Sequence, residues 1–180
     1  VFSPYFLSYI NSGLVRFNDD PQVFAVCGYS EPLDLEKKIG TQVYLRRGFS
    51  SFGFGTWREK FTRVDPEAQT FYRDFLLPCS MTDFRSAVGD NIFVGLLVAK
   101  RLGRIYMDMS IIYHIFKNNM YSVHPVKSLV RNIGQDGSGL HSGVNAAIQQ
   151  QAIGMDPVAL DAIVAEGELP EIRSALNMYF

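Results

Sequence analysis

A run of alternating glycines and aromatics is the part of this sequence best suited to ligand chemistry. Residues 50–58 read SSFGFGTWR. Glycine lets a backbone approach a ligand closely and adopt positive φ without steric cost, and aromatic side chains present large flat apolar surfaces. Such surfaces suit the C–H face of a sugar ring. We therefore predict that Phe52, Phe54 and Trp57 contact a saccharide, with packing in the core as the alternative.

Polar side chains beside these rings could bind the rest of a substrate. Arg47 precedes the run and Arg58 ends it. A guanidinium matches phosphate oxygens with paired N–H groups, although a solvated arginine is the commoner outcome. Ser51 lies in the same loop. We assign Arg47, Ser51 and Arg58 to substrate binding.

A second glycine loop lies downstream at residues 132–141, NIGQDGSGLH. The backbone amides from Gly137 to Gly139 could hold an anion, and a plain turn would use the same residue types. His141 ends this loop, and an imidazole is a suitable ligand for manganese. A loop histidine without a partner is the alternative for His141.

Two carboxylates are candidates for a general base, which takes a proton from a reacting hydroxyl. Asp108 stands among large apolar residues, YMDMS, at the predicted start of a helix. Its alternative role is a favourable interaction with the helix dipole. Asp90 follows Gly89 and is also explained as a helix N-cap.

Composition narrows the class of protein. The chain has 180 residues and is 47% hydrophobic, which favours a folded domain with a core over disorder. With 17 basic and 18 acidic residues, the net charge of −1 supplies no basic field for nucleic acid. The longest apolar run, at residues 92–99, is shorter than a membrane span and contains Gly95.

Two cysteines, Cys27 and Cys79, are too few for a disulfide framework, and both stand beside apolar residues. We predict that they are buried thiols. This composition favours a reducing compartment, and we predict a cytoplasmic protein, with the inner face of a membrane as a further option.

Hydrophobic periodicity and turn residues predict the elements that position these side chains. Ser3 and Pro4 are predicted to begin the first helix. Residues 30–41 are predicted to form a surface loop. Helices are predicted at residues 4–17, 65 or 66 to 77, 82–87, 90–102 and 106 or 108 to 119, with a short one within 55–64. Strands are predicted at 22–29, 42–47 and 121–125, an extended piece at 128–132, and small helices after residue 143. The apolar strand at residues 22–29 indicates an α/β sheet.

Three segments in the same order resemble bacterial sugar-nucleotide glycosyltransferases of the GT-A type, which build O-antigen, capsule or exopolysaccharide. Residues 52–58, FGFGTWR, resemble an aromatic "Trp-Gly-Trp-Gly-Thr-Trp" segment of that family. Residues 117–141 resemble the end of the same enzymes, and residues 3–7, SPYFL, resemble the helix that follows their acidic metal motif. The resemblance covers residues 1–141 and is more specific as an ordered series than in any one segment.

The resemblance implies a fold and an activity. The chain would be the C-terminal, acceptor-binding half of a GT-A fold over residues 1–142, a mixed sheet flanked by helices, with a helical tail over 143–180. The complete enzyme would transfer a sugar from a nucleotide-sugar donor to a glycan or lipid-linked acceptor, with Mn²⁺ or Mg²⁺ as cofactor. Asp108 matches the acid of a "Trp-Asp" pair in such sequences, and His141 matches a late metal ligand in some of them.

The departures from the family pattern bear on activity. Phenylalanines stand at 52 and 54 where tryptophans are usual, which keeps stacking but removes two N–H donors. The nucleotide-binding half and its acidic metal motif precede the position of Val1 in the family, so we expect this chain alone to be inactive. A non-catalytic carbohydrate-binding or scaffolding module is the alternative. Peripheral membrane association and a homo-oligomer stay open.

Overall fold

The chain forms an α/β structure, obtained as a computed structural model that describes residues 1–33, 35–74, 78–134, 146–160 and 167–179. The strands are β1 (Val23–Cys27), β2 (Val43–Arg46), β3 (Phe54–Thr56) and β4 (Tyr121–Pro125). The helices are α1 (Phe6–Arg16), α2 (Glu36–Ile39), α3 (Arg58–Phe61), α4 (Phe71–Asp74), α5 (Pro78–Val88), α6 (Asp90–Arg101), α7 (Met107–Lys117), α8 (Ala146–Gln149) and α9 (Pro170–Tyr179). In the described ranges, none of these helices has the length and apolar character needed to cross a bilayer.

The strands form one mixed sheet in the order β2-β4-β1-β3. The central pair β1 and β4 is parallel, while β2 and β3 run antiparallel to their neighbours. We call the edge where β1 and β4 end the carboxyl edge, and the edge where they begin the amino edge. The predicted mixed α/β sheet flanked by helices is confirmed.

One face of the sheet, the α1 face, is apolar. Val26 and Val123 from the two central strands pack there against Tyr9 and Ile10 of α1. Gly13 of α1 lies so close to the sheet that an added Cβ would stand 2.8 Å from the Val26 side chain. Only a residue without a side chain allows this approach of helix to strand.

The opposite face, the α7 face, is divided. Beneath β1, Phe24 packs with Ile111 and Ile115 of α7 and with Phe84 of α5 in the largest apolar cluster. Beneath β2 and β4 the same face carries polar residues, since strand alternation places Tyr44 and Arg46 with Ser122 and His124.

The C-terminal helix covers the β2 side of the sheet. Ile172, Ala175 and Leu176 of α9 pack with Tyr44 of β2 and with Val126. Small helices in this part of the chain were predicted. The contacts of α9 show that this helix shares an apolar core with the sheet.

Two predicted helix starts and one predicted surface segment are wrong. The segment 65–70 forms turns and only α4 is helical, because both carboxylate oxygens of Asp65 accept backbone N–H groups, those of Glu67 and Gln69, in a local turn. The first helix begins at Phe6 with Tyr5 as N-cap, while Ser3 is buried. In the predicted surface loop, Ser30 and Glu31 are buried.

Candidate functional site

The loop between β2 and β3 and the first residue of β3 each present an exposed ring at the carboxyl edge. Phe52 and Phe54 are 39% and 36% exposed. Each ring is fixed by an edge-to-face contact, Phe52 against Tyr29 at 5.2 Å between ring centroids and Phe54 against Phe49 at 4.7 Å. Both exposed rings are therefore held in place by a neighbouring ring, and we call Phe52 and Phe54 the ring pair.

Glycine conformation holds the ring pair in place. Gly53, between the two rings, has φ of 76°, a value that L side chains rarely adopt. Its carbonyl accepts a hydrogen bond from the Gly28 amide at 2.8 Å. An added Cβ at Gly28 would stand 2.4 Å from the Phe6 ring, so strand, loop and α1 meet closely here. The glycine spacing in the sequence therefore serves backbone packing.

Trp57 does not join the ring pair. Strand alternation along β3 turns Phe54 toward the α7 face and Gly55 and Trp57 toward the α1 face. The Trp57 ring is half-buried, with the Lys60 ammonium 3.8 Å from its centroid. The three aromatics that the sequence groups together thus lie on two faces of the sheet.

The predicted polar contacts are spread over the molecule. Ser51 is exposed beside the ring pair, and Arg58 is exposed at the first residue of α3. Arg47 follows β2 at the amino edge, where its guanidinium donates to the Asn119 side chain and lies 5.2 Å from the Phe116 ring centroid. The structure brings Ser51 to the ring pair, whereas Arg47 contacts the residues around the end of α7.

Asp108 is the second residue of α7 and is half-buried. Its Oδ1 accepts the Met109 amide at 2.9 Å, so one carboxylate oxygen is tied to the start of the helix. The helix ends at Lys117, close to the amino edge where β4 begins. At about 1.5 Å per residue, Asp108 lies roughly 14 Å along the helix from that end.

Asp90 is not the N-cap of α6 that the sequence predicts. Gly89 is the N-cap of α6, and Asp90 is its first helical residue. The Asp90 carboxylate accepts two hydrogen bonds from Arg85 of α5, at 2.5 and 2.7 Å. The hydrogen bond from Arg85 lowers the pKa of Asp90. This exposed carboxylate is therefore engaged in a helix–helix ion pair.

A buried polar cluster was missed by the sequence reasoning. Arg46 donates to Glu31 at 2.6 Å, and His124 stacks on Tyr44 at 5.5 Å between ring centroids. We call Glu31, Tyr44, Arg46 and His124 the buried cluster; each is less than one-tenth exposed. The sequence signal for the buried cluster is the strand VYLR, in which polar Tyr44 and charged Arg46 alternate with apolar residues.

Burial and charge together set the ionisation of this cluster. Burial alone would raise the pKa of the Glu31 carboxyl, yet the Arg46 guanidinium holds that pKa below its usual value. Burial and Arg46 lower the pKa of His124 to about 4, so its ring is neutral at pH 7. The His124 Nδ1 and the Tyr29 carbonyl are 2.8 Å apart. A neutral ring therefore donates from Nδ1.

The metal prediction falls largely outside the described residues. His141, Gly137 and Gly139 lie in the stretch 135–145, which the structure does not describe. Within the described ranges, no group of three or more His, Cys, Asp or Glu side chains could hold a metal ion. These residues alone do not fit the expected Mn²⁺ or Mg²⁺, and no step below passes through a metal.

One of the two predicted buried thiols is confirmed. Cys27 is a free, fully buried cysteine, and burial raises its pKa to about 12. A thiol with so high a pKa is protonated and unreactive at pH 7. The side chain of Cys79 lies outside the described part of the chain.

Comparisons with protein-family models, with curated proteins and with solved structures find no match to this chain.

Proposed function

We propose that this chain is the acceptor-binding part of a glycosyltransferase that moves a sugar from a nucleotide-sugar donor to a glycan or lipid-linked acceptor. The ring pair carries the proposal. Phe52 and Phe54 leave more than a third of their surface exposed while edge-to-face contacts hold them in place. A fixed aromatic surface binds a sugar face at low entropic cost, since little side-chain freedom remains to be lost.

A carboxylate that could act as base supports the same proposal. Asp108 is half-buried, and its backbone belongs to a helix that is anchored on the sheet through Ile111 and Ile115. A general base needs a fixed position relative to the acceptor hydroxyl. Asp108 would take the proton from that hydroxyl as the new glycosidic bond forms and the nucleoside diphosphate leaves. The resemblance of residues 1–141 to GT-A enzymes points to the same residue.

Saccharide binding by the 180-residue chain tests the proposal. We expect a library of bacterial surface oligosaccharides to yield a ligand that shifts the NMR signals of Phe52 and Phe54. Phe52→Ala should weaken that ligand roughly tenfold, the loss of about 1.4 kcal/mol. Leu102→Ala is the matched control, since Leu102 is an apolar side chain 74% exposed on another surface. Equal losses in both variants, or no oligosaccharide bound, would contradict the proposal.

Turnover separates the enzyme from a binding module. In a protein that joins this chain to a donor-binding half, Asp108→Asn should lower transfer by about 10²-fold or more and leave oligosaccharide affinity unchanged. A protein that binds the oligosaccharide and shows no transfer with any nucleotide sugar would be a carbohydrate-binding module.

A further inference from the structure

A cavity of about 490 Å³ opens at the amino edge of the sheet. Pro21, which precedes β1, and Met120, which precedes β4, lie in its wall. The ring pair stands at the opposite edge, because Phe54 pairs with Cys27 at the end of β1. The volume lies within the range of about 300–1,000 Å³ that small-molecule sites occupy. This amino-edge cavity is therefore separate from the proposed saccharide surface.

Basic side chains from two parts of the chain line the amino-edge cavity. Lys60 belongs to α3 and Arg63 to the turn after it, while His114 and Lys117 belong to α7. The backbone amide of Arg63 donates to the Lys60 carbonyl at 3.3 Å, while its exposed guanidinium makes no hydrogen bond or ion pair among the described residues. The guanidinium N–H groups are thus free to bind an anion in the cavity.

The nearby carboxylates are already engaged. Asp65 accepts the amides of Glu67 and Gln69 at 3.0 and 2.6 Å. Asp74 accepts Lys117 at 2.8 Å and also the hydroxyls of Thr70 and Tyr113. Neither acid pairs with Arg63, so the charge of its guanidinium is left for a ligand.

His114 adds a neutral donor. Its Nδ1 lies 3.3 Å from the Asn118 side-chain amide, so Nδ1 accepts and the ring proton is carried by Nε2. Burial lowers the pKa of His114 most, and the nearby charges of Lys117 and Arg63 lower it further. Other charged groups around this part of α7 are Asp65, Asp74 and Lys60. Asp19 and Asp20 act on Lys60, and the Arg47 guanidinium lies 5.2 Å from the Phe116 ring centroid.

We propose that the amino-edge cavity binds a small molecule that bears a phosphate group, with Arg63 as the main cationic contact and the His114 Nε2–H as a second donor. The forked N–H groups of an arginine match phosphate oxygens. Lys117 has one N–H left beside its bonds to Asp74 and Thr70. Ser110 and Asn118 line the remaining wall, where the Ser110 hydroxyl donates to the Pro66 carbonyl at 2.7 Å and the Asn118 side-chain amide donates to the His114 carbonyl at 2.8 Å.

NMR titration with inorganic phosphate tests this proposal. The His114 ring signals, assigned by their loss in His114→Gln, should shift with millimolar phosphate and not with sodium chloride at matched ionic strength. Saturating phosphate should also raise the pKa of His114, because a nearby anion favours the charged ring. Glucose 1-phosphate should shift the His114 signals at concentrations no higher than inorganic phosphate needs, and glucose alone should leave them unshifted.

Variants place the binding in the cavity. Arg63→Gln should weaken phosphate binding roughly tenfold. The control is Arg101→Gln, which removes the same charge from an exposed position on α6. Unshifted His114 signals at tens of millimolar phosphate, or equal phosphate affinity in Arg63→Gln and Arg101→Gln, would overturn the proposal. Because the saccharide surface lies at the other edge, these outcomes are independent of the glycosyltransferase assignment.

Discussion

The buried cluster and the amino-edge cavity combine similar residue types in different surroundings. Each contains an ion pair and a histidine. In the buried cluster the Arg46 and Glu31 side chains are both 7% exposed, whereas Lys117 and Asp74 at the cavity are 39% and 25% exposed. Water reaches the Lys117–Asp74 pair and screens its charges, whereas the Arg46–Glu31 pair is shielded from water.

This difference separates structural charge from charge that can serve a ligand. A buried ion depends on its partner, because losing that partner leaves a charge without water or a counter-ion. A half-exposed ion can exchange its partner for water or for a ligand at little cost. The buried cluster is therefore expected to control folding, and the amino-edge cavity to tolerate substitution.

Breaking the buried ion pair should produce the largest effect. Arg46→Met leaves the Glu31 carboxylate buried opposite an apolar side chain, and we expect a loss of about 3–5 kcal/mol in the free energy of unfolding. Urea denaturation followed by circular dichroism measures it. The double variant Glu31→Leu with Arg46→Met should recover most of that loss, since no buried charge remains. A loss below about 1 kcal/mol in the single variant would contradict the burial of this pair.

The pH dependence of stability should report His124. Its pKa is about 4 in the fold and 6.5 as an ordinary value. Between these values the unfolded chain binds the proton more readily, so stability falls as the pH is lowered. We expect the free energy of unfolding to be about 2 kcal/mol smaller at pH 5 than at pH 7 from this group.

Two variants test whether His124 causes the pH dependence of stability. His124→Asn removes the titrating ring and should flatten the profile between pH 7 and pH 5. His114→Gln should change it less, because His114 is only half-buried, although its pKa is lowered as well. An unchanged slope in His124→Asn would show that other groups carry the acid sensitivity.

Local patterns predicted much of the fold. The apolar strand and the helical periodicity of residues 4–17 and 106–119 follow from single segments, and β1, α1 and α7 lie within or nearly within the predicted ranges. The buried cluster depends on pairs distant in sequence, such as His124 with Tyr29 and Ser30 with Pro125. No local pattern contains those pairs, so residues 30–41 were assigned to the surface.

The candidate site could be predicted only in part, because it too depends on contacts between residues distant in sequence. Exposed Phe52 and Phe54 follow from a glycine-rich loop, but the separation of Trp57 from them depends on the strand register, which places Gly55 opposite Val26. Successive side chains of the short strand β3 point to opposite faces of the sheet. A contiguous run of aromatics therefore did not produce a contiguous surface.

Removing the half-exposed ion pair should produce the smallest effect. Lys117→Met leaves Asp74 with the hydroxyls of Tyr113 and Thr70 and with water, since a quarter of its side chain is exposed. We expect the free energy of unfolding to fall by about 1 kcal/mol or less. The same urea titration compares it with Arg46→Met. A loss as large as that of Arg46→Met would mean that exposure does not distinguish the two pairs. A small loss that persists in about 1 M sodium chloride would instead point to apolar contacts of the Lys117 methylene groups, because such salt screens exposed charge and leaves apolar contact intact.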